Sequence, residues 1–529
     1  MIAITLKLGI DVGSTHTDAV ILTAKNEYVG AVKTPTTMDV TTGVINSISK
    51  VLEKTGVNPG EVKLAAIGTT HCINAIVERK RLSRVAVVRL CLPAGTGIEP
   101  MIDWPADLRD AVGGASFAVE GGYEYDGREF NGLATDKLSE IGRSIKEQNF
   151  QAVAITGQFS PIRSDQEIEA GNIIRGITGP EIPISLSHEI GIIGFIEREN
   201  ATILNAATIA VATAAAEAFE QALANREIVA SLFFSQNDGT LMSVDFAKKY
   251  PVLTILSGPT NSIRGAGFLT NMQDAVVVDI GGTTTLAGIL VHGFPRQSST
   301  AVEVGGVRTN FRMPDLVSIG NGGGTIVRQH DGDVTIGPDS VGYDIVTKGI
   351  AWGGDTVTNT DIAIASGYVE IKDDPRVDSS RTKKLDREVV RKAQTKIVEN
   401  VESSIDRIKT TKDPVPVVLV GGGGIIIPQA HYDKLKGVAK VIRPNNFQYA
   451  NAIGAAIAQV SGEIDRVFSL EHQTREETIK QAKRMAIEKA IAAGADPDKV
   501  QIVDVDEVFL SYLPSNAARM RIKAAGPLK

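Results

Sequence analysis

A chain of 529 residues is longer than one hydrophobic core usually organises, so two or three domains are expected. Its 43% apolar content is that of a globular protein, and a net charge of −7 argues against a nucleic-acid partner held by bulk charge. Two cysteines, Cys72 and Cys91, exclude a disulfide framework and a cysteine-only metal site, and fit a reducing, cytoplasmic setting.

The first residues carry no basic flank, apolar core and cleavage site, and residues 2–8 read as the start of a strand. No run approaches about 18 apolar residues, so no membrane span is expected. Residues 8–22 read as a strand ending in Asp11, a tight turn through Gly13, Ser14 and Thr15, and a second strand from Asp18. A hairpin tip of this kind offers backbone N–H groups and small hydroxyls to phosphate oxygens, with a carboxylate beside them for a hydrated cation. Alone, the pattern occurs in many folds.

Residues 27–33 complete a meander. Residues 40–55 have helical apolar spacing at Val44, Ile45, Ile48, Val51 and Leu52. Residues 62–68 form a strand that turns through Thr69, Thr70 and His71 into a helix, where either those three side chains meet a ligand or Thr69 only caps the helix. Strands at 84–91, 152–156 and 182–186 alternate with helices at 137–149 and up to about residue 175. The last strand leads to His188, either a substrate or metal contact or a hydrogen-bonded structural histidine. A long alanine-rich helix over 197–223 reads as a bridge between lobes, and a hairpin at 229–244 as the opening of the second lobe.

Residues 276–290 then repeat the first hairpin: an apolar strand, Asp279, Gly281 and Gly282, hydroxyls at Thr283, Thr284 and Thr285, and a second apolar strand. Two such hairpins far apart point to two similar domains facing each other across a nucleotide. A strand at 315–319 runs into Gly322, Gly323 and Gly324; residues 349–367 look loop-rich; residues 385–408 form an amphipathic helix. A strand at 415–420 enters Gly421, Gly422, Gly423 and Gly424, which lets backbone lie close to a ligand. Residues 473–493 (helix) and 500–512 (strand) read as a small α/β appendage. The resulting division is a first lobe over 1–200, a second over 201–460, and the appendage over 461–529, an α/β architecture throughout.

The paired hairpins resemble those of the actin-like (ribonuclease H-like) ATPases, in which opposite lobes grip one nucleotide. More narrowly, the chain resembles the A subunit of the hydantoinase/5-oxoprolinase family, in a short form. The resemblance rests on Asp11 to Asp18, on Thr69 and Thr70 with Asn74, and on Ser187-His188-Glu189. It continues through Arg198 with Asn205, Ser257-Gly258-Pro259, Asp279 to Thr284, and Gly320 to Thr325. It implies ATP and Mg²⁺ as cofactors, a cyclic amide such as a hydantoin or 5-oxoproline as substrate, and a second, B-type subunit or self-association. Related members act in ATP-dependent carboxylases. It further implies that Asp11 and Asp279 orient Mg²⁺ through water and that Asp18 orients the acceptor. Gly13, Ser14, Thr15, Thr17, Gly281, Gly282, Thr283, Thr284, Gly322 and Gly323 would hold phosphates, Gly421 to Gly424 the adenosine, and Thr70, His71 and His188 are substrate candidates. The chain departs from the family at Ser14, His16 and Leu286, in the stretch after the triple glycine, and in lacking a β-rich C-terminal portion. Alternatives of the same fold are an ATP-driven reactivase or chaperone of a partner protein and a kinase of a small metabolite.

Overall fold

The computed structural model describes residues 5–13, 15–37, 40–298, 301–330, 333–372, 374–470, 473–510 and 517–529. Ser14 and the end of the expected 500–512 strand lie outside them.

Two sheets organise the molecule. The larger has nine strands, in spatial order Gln501–Leu510, Ala517–Gly526, Val460–Ser469, Leu241–Ser243, Ser231–Ser235, Val62–Gly68, Leu6–Val12, His16–Thr23 and Tyr28–Pro35. Its central strands are apolar on both faces, as burial on both sides requires. Leu8, Ile10, Ala19 and Ile21 pack on Ile48, Phe219 and Ala222, while Val20 and Leu22 face Ala452 and Ile453 on the other side. The smaller sheet runs Phe294–Pro295, Thr285–Val291, Ala275–Ile280, Val415–Val420 and Val438–Ile442, with Leu316–Ile319 also paired to Thr285–Val291. Helix Arg387–Ile408 closes one face with Ile397, Val401 and Ile405, and helix Ser257–Thr270 covers the other with Ile263 and Ala266.

In each sheet an antiparallel hairpin is followed by a parallel neighbour: Leu6–Val12 pairs with Val62–Gly68, and Ala275–Ile280 with Val415–Val420. The two lobes therefore share the actin-like plan. Between them cross the helices Ser257–Thr270 and Ala450–Ile457, at a distance only glycine permits. A Cβ at Gly265 would stand 1.9 Å from the Ala450 oxygen, and one at Gly454 1.9 Å from the Asn261 oxygen.

The sheets do not divide where the sequence was divided. Strands Ser231–Ser235 and Leu241–Ser243 extend the first sheet through parallel pairing with Val62–Gly68, so the hairpin read as opening the second lobe belongs to the first. The expected appendage is no separate unit either. Val460–Ser469, Ala517–Gly526 and Gln501–Leu510 continue the same sheet, and helix Arg475–Ala492 packs on them through Ala482, Ala486 and Ala490. The region read as loop over 349–367 contains helix Asn359–Ala365, started by a reciprocal Thr358–Asp361 capping box.

A separate four-stranded parallel sheet is inserted after the first lobe's early strands, in order Ala115–Glu120, Val85–Leu92, Ala152–Gly157 and Ile184–Leu186. Helix Phe195–Ala224 joins it to the large sheet. Among the described residues this helix is long and apolar enough to cross a membrane. Its apolar surface is instead spent inside, with Ala201, Leu204 and Ala207 in the core beneath the insert and Ala216, Phe219 and Leu223 under the large sheet.

Candidate active site between the lobes

The two hairpin turns have one geometry. The Gly13 N–H donates to the His16 carbonyl at 3.0 Å, and the Gly281 N–H to the Thr284 carbonyl at 2.9 Å. Each turn leaves an aspartate at the end of the strand before it. The register then lays residues out in rows on one face of each sheet. In the first lobe the row is Gly68, Asp11, Asp18, Lys33; in the second it is Val420, Asp279, Leu286, Ser318. The rows match at the strand-end aspartate and differ beyond it, where a carboxylate and an ammonium stand in one lobe and an apolar side chain and a hydroxyl in the other.

The two crossing helices hold the aspartates. Asn451 Nδ2 donates to Asp11 Oδ2 at 2.8 Å, and Ser262 Oγ to Asp279 Oδ2 at 2.6 Å. Asp11 also lies over Gly258, where a Cβ would sit 3.4 Å from its Oδ1. Gly258 and Ser262 are four residues apart on one helix, so the two carboxylates flank a single turn, roughly 6 Å of rise. The hairpin tips meet across the cleft: a Cβ on Gly282 would lie 2.7 Å from the Thr15 side chain. Asp11 and Asp279 thus come together from opposite lobes.

Electrostatics follow from this convergence. Burial, Asp18 and Asp279 push the Asp11 carboxyl up to about 7, against Lys33 and the Asn451 hydrogen bond. Burial raises Asp18 and Asp279 too, with Lys33 opposing in both cases. Lys33 Nζ is 2.6 Å from both Asp18 oxygens. His16, lowered to about 4 by burial and Lys33, is neutral at neutral pH. Three carboxyls and one ammonium thus converge in a buried junction that disfavours the ionised carboxylates unless a further cation joins them. Beside them the fully buried Asn261 has an Oδ1 without a hydrogen-bond partner among the described residues. Among the described residues no group of three His, Cys, Asp or Glu side chains could ligate a metal directly, so Asp11 and Asp279 fit only a cation that keeps most of its water, as a hard ion such as Mg²⁺ does.

The glycine loops lie against the second hairpin. Gly421 has φ +82°, and a Cβ there would come 2.0 Å from Asp279 Oδ1; a Cβ at Gly423 would come 2.3 Å from the Gly281 carbonyl. Gly422 faces the other lobe, 3.7 Å from Lys33 Cε by the same measure. Gly322 and Gly323 brace the turn: the Gly323 N–H donates to the Gly281 carbonyl at 3.0 Å, and Thr325 Oγ1 to the Thr283 carbonyl at 3.1 Å. A Cβ on Gly322 would come 2.6 Å from the Thr283 backbone, so these two glycines pack directly against the second hairpin turn.

Thr15, Thr283 and Thr284 stand at the tips. Thr17 does not: it is fully buried, with Oγ1 3.2 Å from Thr36 Oγ1, because alternation points it away from the face that carries Asp18. Thr70 lies beside the first turn, its hydroxyl donating to the Val12 carbonyl at 3.5 Å. His71 instead turns inward, its ring edge-on to Phe219 at 5.6 Å and its Nδ1 against Thr69 Oγ1.

His188 belongs elsewhere. Arg198, which donates to Ser187 Oγ at 2.9 Å, and Phe219, which meets His71, lie on the same helix Phe195–Ala224, 21 residues or about 30 Å apart. His188 Nδ1 is 2.6 Å from Glu167 Oε2, and Glu167 also accepts from the Gly157 N–H at 2.6 Å, the His188 N–H at 3.0 Å and Ser187 Oγ at 2.5 Å. Burial alone would raise Glu167, but the hydrogen bond and charge of His188, the charge of Arg198 and the Ser187 bond hold it below the ordinary value. His188 is hydrogen-bonded within the insert, and Arg198 ties the neighbouring Ser187 to the long helix.

Sequence reading missed Lys33, Asn451 and Ser262. Lys33 was within reach, since a hairpin closed by Gly13 and His16 puts Asp18 opposite Asp11, and the next strand puts Lys33 opposite Asp18. The other two reach the aspartates from the helices that pack on each sheet, at sequence separations of 440 and 17 residues, and no local pattern marks them.

Known proteins agree with this architecture. The hydantoinase/oxoprolinase N-terminal region matches residues 7–178, and hydantoinase/oxoprolinase matches residues 198–410. An uncharacterised protein of Methanocaldococcus jannaschii is 25% identical over 433 residues, covering 76% of this chain and 62% of that protein. The acetophenone carboxylase gamma subunit of Aromatoleum aromaticum is 22% identical over 409 residues, covering 68% of this chain and 53% of that one. The chain thus spans under two thirds of the length of either relative. Among solved structures, ATP-dependent caprolactamase from Pseudomonas jessenii superposes with TM-score 0.76 at 19% identity. Nucleotide-free acetone carboxylase superposes with 0.70 at 18%, and each superposition covers 99% of this chain and 88% of the other. Matched in order along both lobes, the chain belongs to the hydantoinase/oxoprolinase family.

Proposed function

We propose that this chain is the ATP-dependent subunit of a cyclic amide hydrolase, activating a hydantoin, 5-oxoproline or related lactam by phosphoryl transfer. The observation that carries the reading is the meeting of Asp11 and Asp279 from two matched hairpins, with the glycine loop at Gly421 against one of them. An amide carbonyl is a poor electrophile. When its oxygen bonds to the γ-phosphorus of ATP as the bond to ADP breaks, the carbon becomes open to water. Water adds to that carbon, the C–N bond breaks as the nitrogen takes a proton, and a second water cleaves the resulting acyl phosphate to carboxylate and phosphate.

Such a transfer depends on positioning and on charge neutralisation. Thr15, Thr283, Thr284 and the turn N–H groups of both hairpins would hold the β- and γ-phosphates, and Gly421 to Gly424 the adenosine. Asp18 would orient the acceptor. Asp11 and Asp279 would hold Mg²⁺ through water, which when bound neutralises the phosphate charge. The likeness to a carboxylase subunit favours a second reading, in which the activated carbonyl is that of a ketone. A second subunit would complete either reaction.

The test is phosphate release from Mg²⁺-ATP against hydantoins, 5-oxoproline, larger lactams, and acetone or acetophenone with bicarbonate. Stimulation by a cyclic amide, alone or with the co-purifying subunit, supports the hydrolase; stimulation only by a ketone moves the assignment to carboxylation. Stimulation only by a partner protein would replace both with the chaperone reading.

A further inference from the structure

The row Asp11, Asp18, Lys33 has a counterpart that lacks its charges. At the matching positions of the second lobe stand Leu286, opposite Asp279, and Ser318, opposite Leu286. That hairpin keeps the same turn without a carboxylate or a lysine, so an Asp–Lys pair is not what the fold requires there. Lys33 nevertheless acts on all three cleft carboxylates: it bonds Asp18 at 2.6 Å and opposes the upward shifts of Asp11 and Asp279. Its side chain reaches across to Gly422 in the facing lobe. Lys33 is about a third exposed on its side chain, while Asp18 is buried. The ammonium can therefore leave without dragging the sheet with it.

We propose that Lys33 is the resident counter-ion of the cleft, competing with a divalent cation for the same carboxylates, so that cation loading frees its ammonium for anionic groups bound between the lobes. This rests on reading the cleft as a cation-dependent nucleotide site. With the carboxylates ionised, three negative charges and one positive leave two to be neutralised, the charge of one divalent ion. Once the ion supplies it, Lys33 is no longer needed at Asp18. It then stands beside the glycine loop, within reach of phosphate oxygens or of a carbonyl oxygen that gains charge during transfer. The lysine would be a positioning residue for the carboxylates before loading and a contact to the anionic ligand after it.

The experiment is calorimetric titration of the nucleotide-free full chain with MgCl₂ at constant ionic strength, comparing wild type with Lys33→Met, Lys33→Arg and Asp18→Asn. Removing a cation a few ångströms from the carboxylates should tighten Mg²⁺ binding in Lys33→Met by at least about tenfold. Lys33→Arg should bind as wild type does, and Asp18→Asn more weakly than wild type. Equal or weaker Mg²⁺ binding in Lys33→Met overturns the proposal. If that variant does not fold, Lys33→Gln, whose amide can still donate to Asp18, carries the same expectation at smaller amplitude. Mg²⁺-ATP is titrated into wild type alongside: absence of nucleotide binding overturns the reading of the cleft, whereas the Mg²⁺ comparison decides the role of Lys33 by itself.

Discussion

At Asp11 the molecule keeps a carboxyl group against burial, against Asp18 across the strand and against Asp279 from the facing lobe, and its pKa rises from 3.8 to about 7. The sign for stability follows directly. Between those values the folded protein holds a proton that the unfolded chain has released, so stability is fully present below about 4 and is lost as pH rises through about 7. Above that the ionised group costs on the order of a few kcal/mol in the nucleotide-free protein. Asp11→Asn should therefore raise the thermal midpoint of the Mg²⁺-free protein at pH 8, leave it nearly unchanged at pH 4, and abolish ATP turnover. Thermal melts at the two pH values check this; a lower midpoint at pH 8 would mean the carboxylate is not strained by its neighbours. At this scale the sequence was informative about Asp11 and Asp279, whose strand–Asp–Gly–turn context is local. It was misleading at Thr17, where only strand alternation separates a tip hydroxyl from a buried one. It was silent on Asn451, which reaches Asp11 from the far end of the chain.

Among the elements, the crossing helices carry the site because each supplies one aspartate's hydrogen-bond donor. Their contact depends on Gly265 and Gly454, where any side chain would run into backbone. Gly454→Ala should destabilise the protein by about 1–3 kcal/mol, the usual cost of overpacking, and should also weaken nucleotide binding by moving Asn451. Urea denaturation and ATP titration measure the two effects, and an unperturbed variant would show that the helices can slide. At the glycine loop, Gly421→Ala combines a left-handed φ with a clash against Asp279, so ATP affinity should fall by more than tenfold, about 1.4 kcal/mol. Periodic helices and apolar strands were legible here. The strand Ala517–Gly526 was not, because alanines and lysine carry no β preference and only its place between two other strands makes it one.

Across the whole molecule, the chain returns at its C-terminal end to the sheet in which it began, and a buried ion pair fastens that return. Lys523 Nζ lies 2.7 Å from Asp238 Oδ2, both groups buried, and Asp238 accepts two further bonds from Thr240. Against burial, Lys523 and the Thr240 bonds hold the Asp238 carboxyl below its ordinary value. Lys523→Met leaves that carboxylate without its cation at a cost of about 3 kcal/mol, and the thermal midpoint should fall by several degrees. Asp238→Asn added to Lys523→Met should restore part of the loss, and no restoration would mean the pair is not what joins the segments. The sequence could not reveal this closure, since it depends on partners 285 residues apart. It did reveal the two-lobed plan, because the strand–Asp–Gly–turn hairpin was written twice. That plan, two matched hairpins acting on one nucleotide, is the central claim. It is tested most directly by phosphate release from Mg²⁺-ATP, comparing wild type with Asp279→Ala under whichever amide or partner stimulates turnover. The account predicts turnover in the wild type and a loss of at least about a hundredfold in Asp279→Ala with unfolding unchanged; equal turnover in the two proteins would contradict it.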